Sequence, residues 1–498
     1  MFVIFLLFIF GLIYFYLRNN FLYWKKRNVP YPQPHIIFGN LNNSILLKKS
    51  IGQEHADIYY QFPNHPYVGF YKIRKPGIIL RDPEIIHNIT TKDFNNFMDN
   101  PWKIDENLDP YFSKHPFFQK GQRWKIQRSY LNPNFTPVKL KTMFPLMQKV
   151  SNDLINFINN TKSNKNSIET KELTSKFTTD ILVSCVMGLE GNSFSDEEAS
   201  FRKISKLWST PSTIHGIKVF IEMIFPSLTS ILRLKFVPKQ AEDYFNNVIS
   251  EILKYRQENK ITRKDFVNNM METMEKDTNY TKEDLIAHIF ILFSEGIETS
   301  SFCLNFALFE LSKNFEIQDK ARTIIKETLQ KHKELTFDVI NDLYYLDWII
   351  QETLRLYPPA MTLSKVCTET YYFPPINGNS EQLKIDVETP IEIPIYAIQR
   401  DKKYFEDPEK FDPERFSEIN QVKIVKGSYL PFGQGPRVCI GQRFAMTQIK
   451  VALVALLDNF EVRLNPKTKN PIEIDERYYM LTSKHDILLE YYKINDST

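Results

Sequence analysis

The chain is 498 residues long, 43% hydrophobic and 24% charged, with a formal net charge of +4. That length and apolar content suffice for a large buried core, and the charge balance is too even to imply a nucleic-acid partner. Four cysteines, at 185, 303, 367 and 439, stand far apart with no Cys-x-x-Cys pair, which argues against a zinc site or a disulfide framework and for a reducing compartment.

Residues 1–17 (MFVIFLLFIFGLIYFYL) form an apolar run without a charged side chain, at the short limit for a spanning helix, which needs about 20 residues. Phe21, Leu22, Tyr23 and Trp24 extend it as an aromatic belt. Lys25, Lys26 and Arg27 follow at once. A cleaved signal peptide wants basic residues before the run and small ones after it, so the pattern predicts an uncleaved single-pass anchor with the remainder cytosolic. The expected division is an anchor over 1–20, a basic and proline-bearing linker over 21–35, and one domain over 36–498. The VPYPQP spacing stiffens the linker toward an extended form.

Apolar runs at 68–71 and 78–80 predict a small sheet. Residues 100–118, rich in turn formers and aromatics (Trp102, Tyr111, Phe112, Phe117, Phe118), read as a loop held down by its rings. Trp124 and Arg128 are four apart, share one helical face and can donate to one anion. Such a pair alone is more often a surface stack. Lys120, Arg123 and Lys125 give the same helix a basic face suited to an acidic partner. Residues 138–280 read as amphipathic helices without identifiable chemistry.

No proline falls between 239 and 357, which permits long helices. Thr281 and Asp284 form a capping-box pattern, and the apolar run 285–311 predicts a buried helix about 50 Å long. In its middle stand Glu295-Gly296-Ile297-Glu298-Thr299-Ser300, and polar groups in a buried helix need a partner or a function. Gly296 leaves room for a small ligand, Glu298 and Thr299 make an acid–alcohol pair, and Glu295 shares a face with Thr299. The bland account is a kinked helix with Thr299 bonded back to its own backbone.

Glu352 and Arg355 lie three apart on a helical face, and Pro413-Glu414-Arg415-Phe416 comes later, after a proline-rich stretch of sheet and loop. The stretch Phe432-Gly433-Gln434-Gly435-Pro436-Arg437-Val438-Cys439-Ile440-Gly441 sets one cysteine in a glycine-bracketed turn before a helix-like run at 442–457. A helix N-terminus favours thiolate over thiol, and a thiolate suits a soft metal such as haem iron. A lone cysteine is more often a small core residue, but the pattern Phe-x-x-Gly-x-Arg-x-Cys-x-Gly weighs against that here.

These separated motifs, in this order over about residues 30–495, resemble the cytochrome P-450 family. The resemblance implies a mainly α fold, one helical domain of that type with a small β-rich region behind an N-terminal transmembrane anchor. It implies haem b (iron protoporphyrin IX) between the 281 helix and the cysteine loop. Cys439 would be the proximal iron ligand, with Phe432 beside the sulfur, Gly441 in the same loop and Gly296 on the opposite face. Trp124, Arg128 and Arg437 would meet the haem propionates. Lys365 stands where the family usually has Arg, and pairs without the bidentate fork. Thr299 and Glu298 would relay protons for oxygen activation, and Glu352, Arg355 and Arg415 would form a buried structural triad.

Glu295 departs from the family's usual Ala or Gly. Three outcomes stand open: an ester with a haem methyl, as in the subgroup that hydroxylates fatty-acid chain ends; a sixth iron ligand; or a turn aside into a hydrated pocket. The implied function is a microsomal monooxygenase nearest to animal, including insect, enzymes that oxidise foreign compounds or lipophilic hormones. It would insert one atom of O2 into a lipophilic xenobiotic, steroid or fatty-acid-like molecule. Electrons would come from NADPH through NADPH–cytochrome reductase, with cytochrome b5 as a second donor, at the endoplasmic reticulum membrane. Two alternatives remain: a haem-thiolate isomerase or dehydratase of lipid hydroperoxides, against which Thr299 and Glu298 argue, and a non-catalytic membrane haem or lipid carrier, which needs Glu295 to block the iron.

Overall fold

The long helix expected from residue 281 spans Lys282–Lys313, and the domain is built around it. The structure, a computed structural model, describes residues 1–161, 167–376 and 381–494. Thr281 caps the helix: its hydroxyl accepts from the Asp284 N–H at 3.2 Å, and the Asp284 carboxylate accepts from the Thr281 N–H at 3.0 Å. Both are donors that a first turn would otherwise leave free. The helix is apolar enough to cross a membrane by length and composition, but 78% of its most apolar stretch is buried inside the protein. Its side chains pack on all sides, against the Thr170–Leu182, Tyr344–Leu356 and Gln442–Asn459 helices.

At Gly296 the long helix packs tightly on the Thr170–Leu182 helix. A β-carbon there would meet Leu182 Cδ1 at 2.9 Å, so the space the glycine frees is filled by the neighbouring helix. The expectation that it leaves room for a ligand is corrected to that extent, although the glycine also borders the cavity described below.

Strands Tyr67–Lys72, Lys75–Leu80, Pro390–Ile393 and Leu363–Val366 form one sheet in that spatial order. The first two make an antiparallel hairpin, and the second runs parallel to the third. A second sheet pairs Ser167–Glu169, Leu488–Lys493 and Phe460–Leu464. The described chain is therefore mainly helical with a small β-rich region.

Phe2–Asn19 is an 18-residue helix. Trp24, expected in a belt at a membrane surface, is instead fully buried on the four-stranded sheet. A β-carbon on Gly69 would fall 2.6 Å from its ring, and its indole N–H donates to the Phe70 carbonyl at 3.0 Å. Indoles carry a large apolar area and one donor, and this site satisfies both. Phe21 meets Tyr71 edge-on at 4.9 Å, and the Gly69 N–H donates to the Pro30 carbonyl at 2.9 Å. The stretch 21–35 thus lies against the sheet.

His288 ties the long helix to the Gly121–Leu131 helix. Its Nδ1 is 2.9 Å from the Tyr280 hydroxyl and its Nε2 is 2.6 Å from Gln127 Oε1. An amide oxygen only accepts, so the ring proton sits on Nε2 and Nδ1 accepts from Tyr280. Burial pushes the imidazole down from 6.5 to about 3. The unfolded chain takes up a proton near 6.5 and the native chain only near 3, so this contribution is present above 6.5 and is lost as pH falls between the two. From pH 8 to pH 5 that loss amounts to about 2 kcal/mol. In urea unfolding, His288→Gln, which keeps a donor and an acceptor, is expected to lose about 2 kcal/mol less over that interval than the unaltered chain.

Candidate active site

The cysteine loop is shaped by two glycines and closed by its own backbone. Gly433 and Gly435 hold φ of +71° and +73°, a region that glycine enters at little cost. The Cys439 N–H donates to the Phe432 carbonyl at 2.8 Å, and the Val438 N–H to the Gly435 carbonyl at 3.0 Å. Gly441 is the N-cap of the Gln442–Asn459 helix. The two bracketing glycines differ in their surroundings. A β-carbon on Gly433 would meet nothing within 4 Å, whereas one on Gly435 would lie 1.8 Å from the Thr90 carbonyl oxygen.

Behind the loop, Glu352 and Arg355 have 0% exposed side chains. Arg355 donates to the Glu352 carboxylate from Nε at 2.7 Å and from Nη2 at 2.9 Å, and Arg415 Nε reaches the same carboxylate at 3.3 Å. The three residues singled out in the sequence therefore meet in one buried cluster. Gln399, which carried no sequence signal, connects that cluster to the loop. Its amide N–H groups donate to the Leu354 and Arg355 carbonyls, and its oxygen accepts from the Leu430 N–H at 2.8 Å.

In front of the loop is a cavity of about 510 Å³ with a mainly apolar wall. Cys439 lies deep in the fold, yet its side chain is exposed to this cavity. Burial pushes the thiol above its ordinary value, Glu295 adds to the rise, and the Gly441 and Gln442 N–H groups together with Arg128 offset part of it. Desolvation thus outweighs the expected preference of the helix N-terminus for thiolate. A metal bound to the sulfur would reverse that balance.

One wall gathers cations. The Arg437 guanidinium lies 4.4 Å over the Trp124 ring and donates to the Pro116 and Gln119 carbonyls, each at 2.9 Å, with Asp99 at 3.4 Å. Lys365 is buried nearby, its Nζ 3.1 Å from Asn100 Oδ1. Burial and the Arg437 charge push Lys365 down to about 7, with Asp99 pulling the other way. Burial likewise lowers Arg437 to about 10. Trp102 Nε1 and Arg437 Nε are buried donors without a hydrogen-bond partner. Crowded cations and orphan donors around one carboxylate amount to a shortage of negative charge, and the two carboxylates of a haem fit it. Arg128, expected beside Trp124 on one anion, is turned to the cysteine loop and donates to the Val438 carbonyl at 2.8 Å.

The long helix presents Glu295, Gly296 and Thr299 to the same cavity. Thr299 Oγ1 donates to the Glu295 carbonyl at 2.8 Å, the back-bonding a threonine within a helix adopts, and its oxygen keeps an acceptor site. Glu298 is buried behind the helix, where it borders a small crevice with Tyr478 and Tyr479 and does not line the main cavity. Burial holds both phenols well above their ordinary value, and the Glu295 and Glu298 carboxylates add to the rise.

Of the outcomes anticipated for Glu295, the structure comes nearest to the turn aside, but toward a side chain: Glu295 Oε1 is 3.6 Å from His115 Nε2. His115 belongs to the 100–118 loop, whose Phe112, Phe117 and Phe118 line the cavity. Glu222, from the Thr213–Ile224 helix, lines it too and is pushed up to about 8, mainly by burial. Neither His115 nor Glu222 sits in a motif, and their roles depend on partners distant in the chain.

The sequence profile described as Cytochrome P450 matches residues 29–489. The chain is 37% identical over 486 residues to Cytochrome P450 6j1 of Blattella germanica, covering 97% of this chain and 96% of that protein. It is 33% identical over 503 residues to Cytochrome P450 6k1 of the same organism, covering 96% and 94%. To Probable cytochrome P450 28a5 of Drosophila melanogaster it is 34% identical over 472 residues, covering 92% of each.

Gly433→Ala is expected to cost about 1 kcal/mol in backbone strain and to keep most of the haem. Gly435→Ala adds a backbone clash and is expected to lose it, read as haem absorbance per mole of purified protein. Arg355→Leu leaves a buried carboxylate short of a partner, at a cost of about 3–5 kcal/mol, and should yield haem-free protein. Normal haem content in that variant would remove the triad from the support of the site.

Proposed function

The chain belongs to the cytochrome P450 family and is a haem monooxygenase, and on that premise we propose that it inserts one atom of O2 into a lipophilic xenobiotic, steroid or fatty-acid-like molecule, with electrons from NADPH delivered by a flavoprotein reductase. The observation that carries this reading is the single cavity lined by both Cys439 and Thr299 beneath aromatic side chains. Cys439 would hold the iron, and Arg437, Lys365 and Trp102 the haem carboxylates. When bound, the haem supplies the iron at which oxygen is activated.

The remaining work falls to the chain's own residues. The apolar wall excludes water and holds substrate by the area it removes from solvent. Thr299 offers its oxygen as an acceptor and can pass its proton on by rotating away from the Glu295 carbonyl. Glu298 can exchange protons with Tyr478 and Tyr479 through the crevice behind the helix. Glu295, held beside His115, is read as neither esterified nor bound to iron. Acid extraction should therefore release all of the haem, and haem retained on the protein would assign the ester instead.

We place residues 1–20 in the endoplasmic reticulum membrane, with the catalytic domain in the cytosol. Support comes from the apolar N-terminal helix, the exposed Lys25 and Lys26 just after it, and exposed Ile214, Ile217, Ile231 and Leu232 on the Thr213–Ile224 and Pro226–Leu232 helices. Exposed apolar side chains grouped on short helices suit a lipid surface. Exposed Lys120 and Lys125, on the element whose Arg128 touches the cysteine loop, favour docking of an acidic donor such as NADPH–cytochrome reductase or cytochrome b5.

With reductase, NADPH and isotopically labelled O2, each product molecule is expected to carry one labelled oxygen. Thr299→Ala should lower product formed per NADPH by about 10²-fold, the low end of a proton-transfer contribution because Glu298 remains. Turnover of a lipid hydroperoxide without O2, and no labelled product, would favour the isomerase reading.

A further inference from the structure

The cavity wall is apolar around Phe112, Phe118, Phe236, Ile291 and Leu292, and two polar side chains enter it together. These are His115 from the loop and Glu295 from the long helix, 3.6 Å apart, with side chains 13% and 44% exposed.

The hydrogen bonding fixes what each can offer. The Phe117 N–H donates to His115 Nδ1 at 2.9 Å, so Nδ1 is an acceptor and the ring proton of the neutral imidazole sits on Nε2, the atom facing Glu295. Phe112 and Phe118 rings stand edge-on to the imidazole at 5.5 and 5.4 Å and hold its plane. The loop is itself pinned: the Phe118 N–H donates to the His115 carbonyl, Lys114 pairs with Asp284 at the start of the long helix, and Arg437 holds the Pro116 carbonyl. A donor and an acceptor therefore stand side by side, preorganised, at a separation too long for a direct hydrogen bond.

We propose that His115 and Glu295 form a recognition site for a hydroxyl group on the substrate. One hydroxyl oxygen can accept from His115 Nε2–H while its proton goes to the Glu295 carboxylate. Glu295 is one helical turn before Thr299 and shares its face, so a substrate held there lies close to the reacting centre. The ligand class is a lipophilic alcohol: apolar area for the wall, one donor–acceptor group for the pair. An apolar molecule of the same shape leaves both polar groups without their hydrogen bonds, which is where discrimination between similar ligands becomes large. The assignment refines the substrate class within the monooxygenase reading and rests on it.

The test is equilibrium dialysis of the haem-loaded full chain against decane and 2-decanol, a matched pair differing by one hydroxyl. The unaltered protein is expected to bind the alcohol at least tenfold more tightly. His115→Phe and Glu295→Leu, each of which removes one hydrogen-bonding partner of the hydroxyl, should each bring that preference to within twofold without lowering decane affinity more than twofold. No preference in the unaltered protein would overturn the proposal. So would a preference that survives both substitutions, or an equal loss for both ligands, which marks a purely structural strap. Decylamine bound more tightly than the alcohol, and weakened only by Glu295→Leu, would also overturn it, in favour of a cation site. Carbon monoxide spectra of the reduced proteins are recorded in parallel. A missing thiolate-type band indicts the haem-thiolate reading, whereas that band with no alcohol preference indicts this proposal alone.

Discussion

A carboxylate sealed from water stays charged only where cations enclose it, and Glu352 meets that condition with Arg355 and Arg415. Such a cluster gains little over a hydrophobic plug in net stability. Its contribution is direction. Apolar packing tolerates sliding, whereas a guanidinium offers donors in a fixed fork. Arg355 spends that fork on Glu352 and on the Gln399 and Lys410 carbonyls. Gln399 passes the constraint to Leu430, at the entrance of the cysteine loop. The position of Cys439 is in this sense set from behind, by electrostatics that never touch it.

The two faces of the loop then show opposite deficits. Burial disfavours the charged form of Cys439 and also the charged forms of Lys365 and Arg437. Arg128 and two backbone N–H groups offset the burial of the sulfur only in part, and the cationic wall has one carboxylate, Asp99, for Lys365 and Arg437. No substitution of a single side chain would answer both. A flat group with a metal at its centre and carboxylates at its edge does, since each of its charges meets the deficit it can relieve. The site's polar residues thus read as one half of an electrostatic fit rather than as separate contacts.

Legibility in the sequence followed the range of the interactions. The long helix could be read because its capping box lies within four residues and its burial shows as unbroken apolarity. The cysteine loop could be read because backbone conformation demands glycine locally. Trp24 could not: an aromatic after an apolar run looks like a membrane belt, and only the absence of a side chain at Gly69, far along the chain, provides its slot. Gly296 shows in the sequence as a missing side chain, but the occupant of the space is Leu182, and sequence spacing does not say which neighbour arrives. Gln399, Trp102 and His115 belong to no periodic pattern. They act through long-range hydrogen bonds, an ion pair or a donor left open, and such features appear only when the fold brings distant segments together.

Glu295 shows how a departure from a pattern can be accommodated. A carboxylate in the middle of a buried helix is costly where it faces packed side chains. At this position the helix faces a cavity, so the group stays partly exposed, and the loop brings His115 to its side. The local rule is broken at the wall nearest the reacting centre, which is where natural sequences tolerate such conflict. The loop's compensation is itself anchored by Arg437, two residues before Cys439. One arginine therefore connects the support of the haem side to the polar pair on the substrate side through the 99–119 loop, beside the direct influence of the Glu295 charge on Cys439.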